Sequence, residues 1–262
     1  MFELLDKHSV SWKYYRTDGS DPDCDDAQLN CEPTDLTTKT SQIWNPPPFF
    51  KYVQDNGPDY LAFHNPTTDQ FLVDLKNGTL PQVSWIIPNG DVSEHPHGGG
   101  ITLGMEYVTS LVNAVMQSDY WQSSVVYIVW DDWGGFYDHV VPPTIEFSDP
   151  LVNTVPNYGF IQGLGLRVPG IAISPWIKAG SIDHQILSFA SYNRLIEDLF
   201  MNGARLDPAA MGRPDARPTV RDAMTTVTYP DGSSAPVGDM MKEFDFNQAP
   251  LPKLYCRRTY PA

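Results

Sequence analysis

The sequence predicts an α/β fold, a mostly parallel sheet sandwiched by helices, on three observations. Short unbroken apolar runs recur, the clearest being Val125-Val126-Tyr127-Ile128-Val129-Trp130, and such runs read as strands buried on both faces. Between them, apolar residues fall at helical spacing, so that strand and helix alternate. The strand-like runs end in proline, glycine or acidic residues, and in open α/β sheets chemistry collects at those carboxyl ends. A length of 262 residues suits a single domain over 1–262, with an irregular Pro-rich tail over 202–262 packed on it.

Phe2, Leu4 and Leu5 place a helix end over 2–8, and 10–15 reads as a strand around Trp12, Tyr14 and Tyr15. Residues 18–39 are acidic and rich in turn formers, an excursion loop, and Asn45-Pro46-Pro47-Pro48 starts a short helix or turn. Thr67 or Thr68 caps a helix through Phe71, Leu72 and Leu75, stopped at Asn77-Gly78. Residues 81–88 form the next strand, closed by Pro88, and a Gly-rich loop follows. Met105, Val108, Leu111, Val112 and Val115 recur at helical spacing, predicting an amphipathic helix over about 104–117. After the 125–130 strand, 142–165 is loop and 168–174 a strand ended by Pro175. Ser188 caps a helix with Phe189, Tyr192, Ile196, Leu199 and Phe200 on one face, leaving Glu197 and Asp198 to water. Beyond 202 periodicity fades, and 225–229 is at most a short strand.

Net charge is −15 with a pI near 4.5, which excludes nucleic-acid backbones and anionic lipid as electrostatic partners. The acidity serves solubility first and leaves carboxylates for cations. No apolar run is long enough for a transmembrane helix, and Glu3, Asp6 and Lys7 stand where a secretory signal would be apolar. Cys24 and Cys31 are spaced to close a small disulfide loop, which would imply export; two free thiols on an acidic loop is the alternative, and Cys256 is left over.

Three constellations carry chemistry. Asp131-Asp132 ends the 125–130 run ahead of Gly134-Gly135. Inside a regular strand neighbouring side chains diverge, but at a bending strand end two carboxylates can serve one hard cation. The alternative is that Asp132 caps a turn and Asp131 is merely exposed. Ser93-Glu94-His95-Pro96-His97 lies on the next Gly-rich loop: His95 or His97 suits a metal or a phosphate oxygen, and Glu94 can orient either; a solvated loop is the plain alternative. In Tyr137-Asp138-His139, His139 suits an anion, while Asp138 either fixes its tautomer or caps the next turn. His64, in Phe63-His64-Asn65-Pro66, is a weaker candidate of the same kind.

At these residues the sequence resembles the phosphoesterase family of bacterial phospholipases C and acid phosphatases, of the alkaline-phosphatase-like superfamily. The resemblance rests on Ser84-Trp85-Ile86, Ser93-Glu94-His95-Pro96, Leu111 to Met116, Pro175-Trp176-Ile177 and above all Trp130-Asp131-Asp132-Trp133-Gly134-Gly135-Phe136-Tyr137-Asp138-His139-Val140. It implies an alkaline-phosphatase-like α/β/α sandwich and metal-assisted hydrolysis of phosphoric esters through a phosphoryl-enzyme intermediate. Asp131 and Asp132 would be ligands of a divalent metal ion, zinc or calcium. His95 would contact the phosphoryl group or protonate the leaving group, and His139, His64 and Glu94 would be further site residues. The substrate would be a phospholipid or a phosphomonoester, and the location secreted or periplasmic.

The family pattern also holds a Glu-Asn pair and an upstream Ser or Thr nucleophile. No Glu-Asn dipeptide occurs here and no residue matches the nucleophile, so the chain is expected to be a carboxyl-terminal portion lacking its amino-terminal part. Its exposed apolar edge would then be covered by an oligomer or by the missing segment, and hydrolysis by this chain alone would be poor. A sulfatase- or mutase-like enzyme ranks low without a Cys-x-Pro-x-Arg motif. A remnant that acts as a non-catalytic binding or interaction module is the rival from another class.

Overall fold

In the computed structural model, which describes residues 1–18, 44–96, 100–145, 164–204, 226–229 and 231–257, the chain divides into two compact units. One comprises Phe2–Val126 with the chain from Pro252 onward, the other Tyr127–Leu251 with Met1. Cys24, Cys31 and His97 lie outside the described residues, as does most of the 18–39 loop.

The first unit is built on a parallel pair. Helix α1 (Phe2–Lys7) leads into β1 (Trp12–Arg16), which pairs in parallel with β2 (Val83–Ile87), from Trp12 opposite Val83 to Arg16 opposite Ile87. The crossover contains α2 (Lys51–Asn56), α3 (Pro58–His64) and α4 (Thr68–Asn77). Thr67 is the N-cap of α4, though its hydroxyl makes no capping bond, and Gly78 ends the helix with φ 73°, a left-handed conformation that suits glycine. Helix α5 (Ile101–Gln117) starts three residues earlier than the spacing predicts. Its Val112, Val115 and Met116 are buried, whereas Ile101, Leu103 and Met105 are exposed. The fully buried apolar residues therefore lie in about the last two turns.

Strand β1 is covered on both faces, as expected of a strand joined by a helical crossover. On one side Trp12 stacks on Phe2 with ring centroids 4.2 Å apart, and Tyr60 and Trp85 approach edge-on. The Asp6 carboxylate gathers this cluster: it accepts from Trp12 Nε1 at 2.9 Å, from the Tyr52 hydroxyl at 2.7 Å and from the Tyr60 hydroxyl. On the other side Tyr15 packs with Phe71, Leu75 and Val115, flanked by Leu80, Ile86, Leu111, Ala114, Tyr120 and Val126. There Asp74 of α4, 3% exposed, accepts from Lys13 Nζ at 2.6 Å, Tyr15 hydroxyl at 2.7 Å, Gln70 Nε2 at 2.8 Å and Thr79 Oγ1 at 3.2 Å. Burial works against its charge, but the bonds from Lys13, Tyr15 and Gln70 prevail and hold it below its ordinary carboxyl value. A reciprocal amide pair, Asn45 with Asn65, is also buried, and Asn65 donates to the Tyr14 carbonyl at 2.8 Å.

In the second unit β3 (Val126–Val129) pairs with β5 (Gly170–Ile173). The apolar 125–130 run predicts a strand buried on both faces. Instead β3 is half-buried and Val129 is 38% exposed, because β5 is its sole paired strand among the described residues. A separate sheet of order β4-β6-β7 joins Thr144–Ile145, Thr226–Thr228 and Ser234–Pro236 in antiparallel register. The described elements are thus mixed α/β, with parallel and antiparallel pairing, and the stretch beyond 202 contributes a hairpin.

Helix α6 (Phe189–Phe200) carries a correction. Its predicted water-facing Glu197 is fully buried, while Phe189, Leu199 and Phe200 are exposed. Beyond the helix the chain reverses at Asn202 (φ 51°) and Gly203 (φ 75°), and the Gly203 amide bonds the Glu197 carbonyl at 3.0 Å. The Ser191 hydroxyl accepts from the Ser188 amide at 3.1 Å, in support of the predicted start. Asp198 instead pairs with Arg194 one turn back.

Three stability predictions rest on the buried Asp74 and the half-buried Glu243. Asp74→Ala strands the Lys13 ammonium in the core and should cost roughly 3 kcal/mol, read by urea denaturation. The Asp74 contribution is present above the unfolded carboxyl value of about 4 and is lost as pH falls through the lower folded value, so Asp74→Asn should flatten the acid side of a melting-temperature profile. Glu243 has the opposite sign. Burial and the neighbouring Asp183 push it up to about 7, so the folded state holds its proton more firmly and stability should fall as pH rises from about 4 to 7. In Glu243→Gln that decline should be smaller, and an undiminished decline would refute this assignment.

Candidate active site

The Asp131-Asp132 segment leaves β3 through a tight turn. Gly134 and Gly135 both have positive φ, 62° and 78°, and the Phe136 amide closes on the Trp133 carbonyl at 3.1 Å. Two left-handed central residues are the pattern of a type I′ turn, which few residues other than glycine adopt in succession. Asp132 Oδ1 accepts from the Gly134 amide at 2.6 Å, so this carboxylate stabilises the turn that presents it. Asp131 and Asp132 are both exposed. Of the two alternatives left by the sequence, the capping role of Asp132 is therefore present, and three carboxylate oxygens of the pair remain outside that bond.

Exposed aromatic side chains follow these acids along the chain. Trp133, Phe136 and Tyr137 are 48%, 72% and 83% exposed, and His139, also exposed, meets the Tyr137 ring edge-on at 5.0 Å. Asp138 does not orient His139. Its carboxylate lies in the fork of Arg167, at 2.9 Å from Nε and 2.7 Å from Nη2, and accepts from the Arg167 amide at 3.0 Å and the Val140 amide at 3.1 Å. The Arg167 hydrogen bonds, then the backbone amides, hold Asp138 well below the usual carboxylate range. Asp138 thus caps the turn that follows it and staples that turn to the segment before β5. Four residues upstream of Asp131, Tyr127 donates to Glu243 Oε2 at 2.8 Å and meets Tyr192 edge-on, which anchors the strand behind the acids.

In the other unit Ser93, Glu94 and His95 follow β2. The Ser93 hydroxyl donates to the Gly90 carbonyl at 3.2 Å and accepts from the His95 amide at 3.1 Å. His95 Nδ1 lies 2.7 Å from the Pro96 carbonyl, so in the neutral ring the proton sits on Nδ1 and Nε2 is the acceptor. Its half-buried ring lies 6.4 Å from that of Trp44. Glu94 has a left-handed backbone and lies against Gly104 of α5. His64 sits in the aromatic cluster around Trp12: its ring stacks on Trp12 at 4.0 Å, lies 4.3 Å from Tyr60, and its Nδ1 donates to the Trp12 carbonyl at 2.8 Å. Burial lowers its proton affinity, so it remains a neutral, structural ring at ordinary pH.

Sequence reading did not single out Arg167, which lies 29 residues from Asp138 with no local pattern to link them. It also passed over Gly104, although a glycine inside a helical pattern is itself a signal of close packing. As metal donors, Asp131 and Asp132 have the oxygen chemistry a hard divalent cation takes, but two carboxylates supply only part of a coordination shell. Within either unit, among the described residues, no three His, Cys, Asp or Glu side chains gather into an ion site.

The described elements form a mixed α/β scaffold, with the acidic strand end and its glycine turn in one unit and the Ser-Glu-His-Pro loop in the other. Residues 1–201 match the Phosphoesterase family, and the chain belongs to it. It is 33% identical over 203 residues to the hemolytic phospholipase C of Pseudomonas aeruginosa, covering 71% of this chain and 28% of that protein. It is 29% identical over 271 residues to the non-hemolytic phospholipase C of Burkholderia pseudomallei, covering 90% and 36%. With phospholipase C B of Mycobacterium tuberculosis it shares 31% over 194 residues, 70% of this chain and 33% of the relative. The chain thus spans about a third of the length of these curated relatives.

The Arg167 staple makes a local prediction. Arg167→Ala should speed hydrogen exchange at the Val140 amide several-fold without unfolding the unit, because Asp138 loses its fork and the turn behind it loosens. Unchanged exchange would show that the turn holds itself.

Proposed function

We propose that this chain carries part of the site of a phosphoric ester hydrolase of the phospholipase C type. The observation that carries the reading is the adjacent pair Asp131 and Asp132, between β3 and a glycine turn that Asp132 caps, in a chain of the Phosphoesterase family. The names of its relatives point to a phospholipid ester as the substrate class, with a phosphomonoester as the alternative. The scaffold would be an alkaline-phosphatase-like sandwich, and the setting secreted or periplasmic.

Each residue then has a role its chemistry allows. Asp131 and Asp132 would hold a divalent cation, zinc or calcium, which when bound polarises a phosphoryl oxygen. His95, with Nδ1 committed to the Pro96 carbonyl, would use Nε2 to exchange a proton with a phosphoryl or leaving-group oxygen. Glu94 would orient His95. His139, exposed and a few residues past the glycine turn, would offset charge on a phosphate oxygen. The neutral His64 supports the fold around Trp12 and β1 rather than supplying a proton.

A second reading, a non-catalytic binding module, draws on the partial donor set within either unit among the described residues. Calorimetric titration with zinc and with calcium separates the two. The hydrolase reading expects cation binding that Asp131→Ala abolishes; no binding by the unaltered chain would favour the module. Turnover of p-nitrophenyl phosphorylcholine should be low in this chain and fall on the order of 10-fold or more in Asp132→Asn, whereas equal turnover in both would remove the carboxylate pair from the mechanism.

A further inference from the structure

Three described residues other than glycine have positive φ: Ser9 at 55°, Glu94 at 63° and Asn202 at 51°. Ser9 and Asn202 follow the ends of α1 and α6, where a left-handed residue is the ordinary way out of a helix. Glu94 has no such context. It lies in the loop after β2, and a long acidic side chain gains nothing locally from the left-handed region. A residue held there needs its surroundings to impose it.

The surroundings that do so are a gap in α5. Gly104 is buried, near the start of the helix, and a Cβ placed on it would lie 2.3 Å from Glu94 Cγ and 2.8 Å from Glu94 Oε1. Such separations do not occur between real atoms, so the Glu94 side chain occupies the volume that any larger residue at 104 would need. A helix-interior glycine is ordinarily less stable than alanine, and here the missing methyl leaves the room that Glu94 fills. The segments on either side are tied down as well. The Ser93 hydroxyl bonds the Gly90 carbonyl before the kink and the His95 amide after it, and His95 Nδ1 bonds the Pro96 carbonyl.

We propose that Gly104 is a seat on α5 that locks Glu94 in its left-handed conformation, and that this lock sets the direction in which His95 leaves the loop. Gly104 and Glu94 are thus positioning residues: they act on the site through His95. The proposal rests on the reading of His95 as a phosphoryl-site residue, and its structural part is measured without metal or substrate.

The test uses the full 262-residue chain in four forms: unaltered, Gly104→Ala, Glu94→Gly, and both together. Melting temperature and the ring resonances of His95, assigned with His95→Gln, are the two readouts. In the unaltered background Gly104→Ala should lower the melting temperature, against its helix propensity, and move the His95 ring resonances. In the Glu94→Gly background the same substitution should raise the melting temperature, because the obstructing side chain is gone and glycine takes the positive φ freely. If Gly104→Ala does not fold alone, folding of the double variant carries the same conclusion. Failure of both to fold, an equal rise in melting temperature in both backgrounds, or unmoved His95 resonances in Gly104→Ala would overturn the proposal. Titration of the unaltered chain with inorganic phosphate then tests the underlying reading separately. A lock that behaves as expected beside a His95 ring indifferent to phosphate would keep the seat and remove its catalytic purpose.

Discussion

In the first unit, one buried carboxylate holds the parallel pair to its crossover. Asp74 lies on α4, and the groups that bind it come from β1 (Lys13 and Tyr15), from α4 itself (Gln70) and from the turn after it (Thr79). A lone carboxylate in such a place would cost several kcal/mol; with a cation and three further donors around it, the charge is compensated. The Tyr15 hydroxyl is consumed by this bond, and burial together with Asp74 drives its proton affinity up. The ring of the same tyrosine anchors the apolar cluster with Phe71, Leu75 and Val115. Polar clamp and apolar core therefore share a residue, so β1 has one register against α4.

Opposite this clamp, Asp6 does the corresponding work with aromatic donors. Trp12, Tyr52 and Tyr60 converge on it from β1, α2 and α3. Their rings form the wall against which His64 is stacked, so a histidine that resembles a site residue in the sequence has its ring and its Nδ1 engaged by the fold. The two turns with candidate chemistry are stiffened by other means. The acidic turn uses paired glycines and the Asp132 cap, and the turn after it uses the Arg167 fork on Asp138. The Ser-Glu-His-Pro loop uses serine bonds and the contact of Glu94 with α5. Both arrangements hold side chains before any ligand arrives, which is the condition for low reorganisation at a reacting centre.

Local pattern made most of the helices and strands legible. Continuous apolar runs mark β2, β3 and β5, heptad-like spacing marks α5, and the threonine and glycine punctuation brackets α4. The glycine turn after Asp131-Asp132 was legible for the same reason: two glycines in succession after a strand leave few conformations that side-chained residues would share. The burial of Glu197 was not legible, because the spacing of apolar residues along α6 does not state what packs on its polar positions. The half-exposed state of β3 was not legible either, since an apolar run states what a strand prefers and not how many neighbours it receives.

The sequence by itself determined the alternation of elements, the acidic strand end, the histidine loop and the family to which they belong, because each is written in contiguous residues. Which groups those residues touch depends on the packed fold. Asp138 serves Arg167 and not His139, His64 serves the aromatic wall, and Glu94 takes a left-handed backbone because α5 has no Cβ at Gly104. Pairings across tens of residues follow from packing geometry, and no local preference of a side chain encodes them.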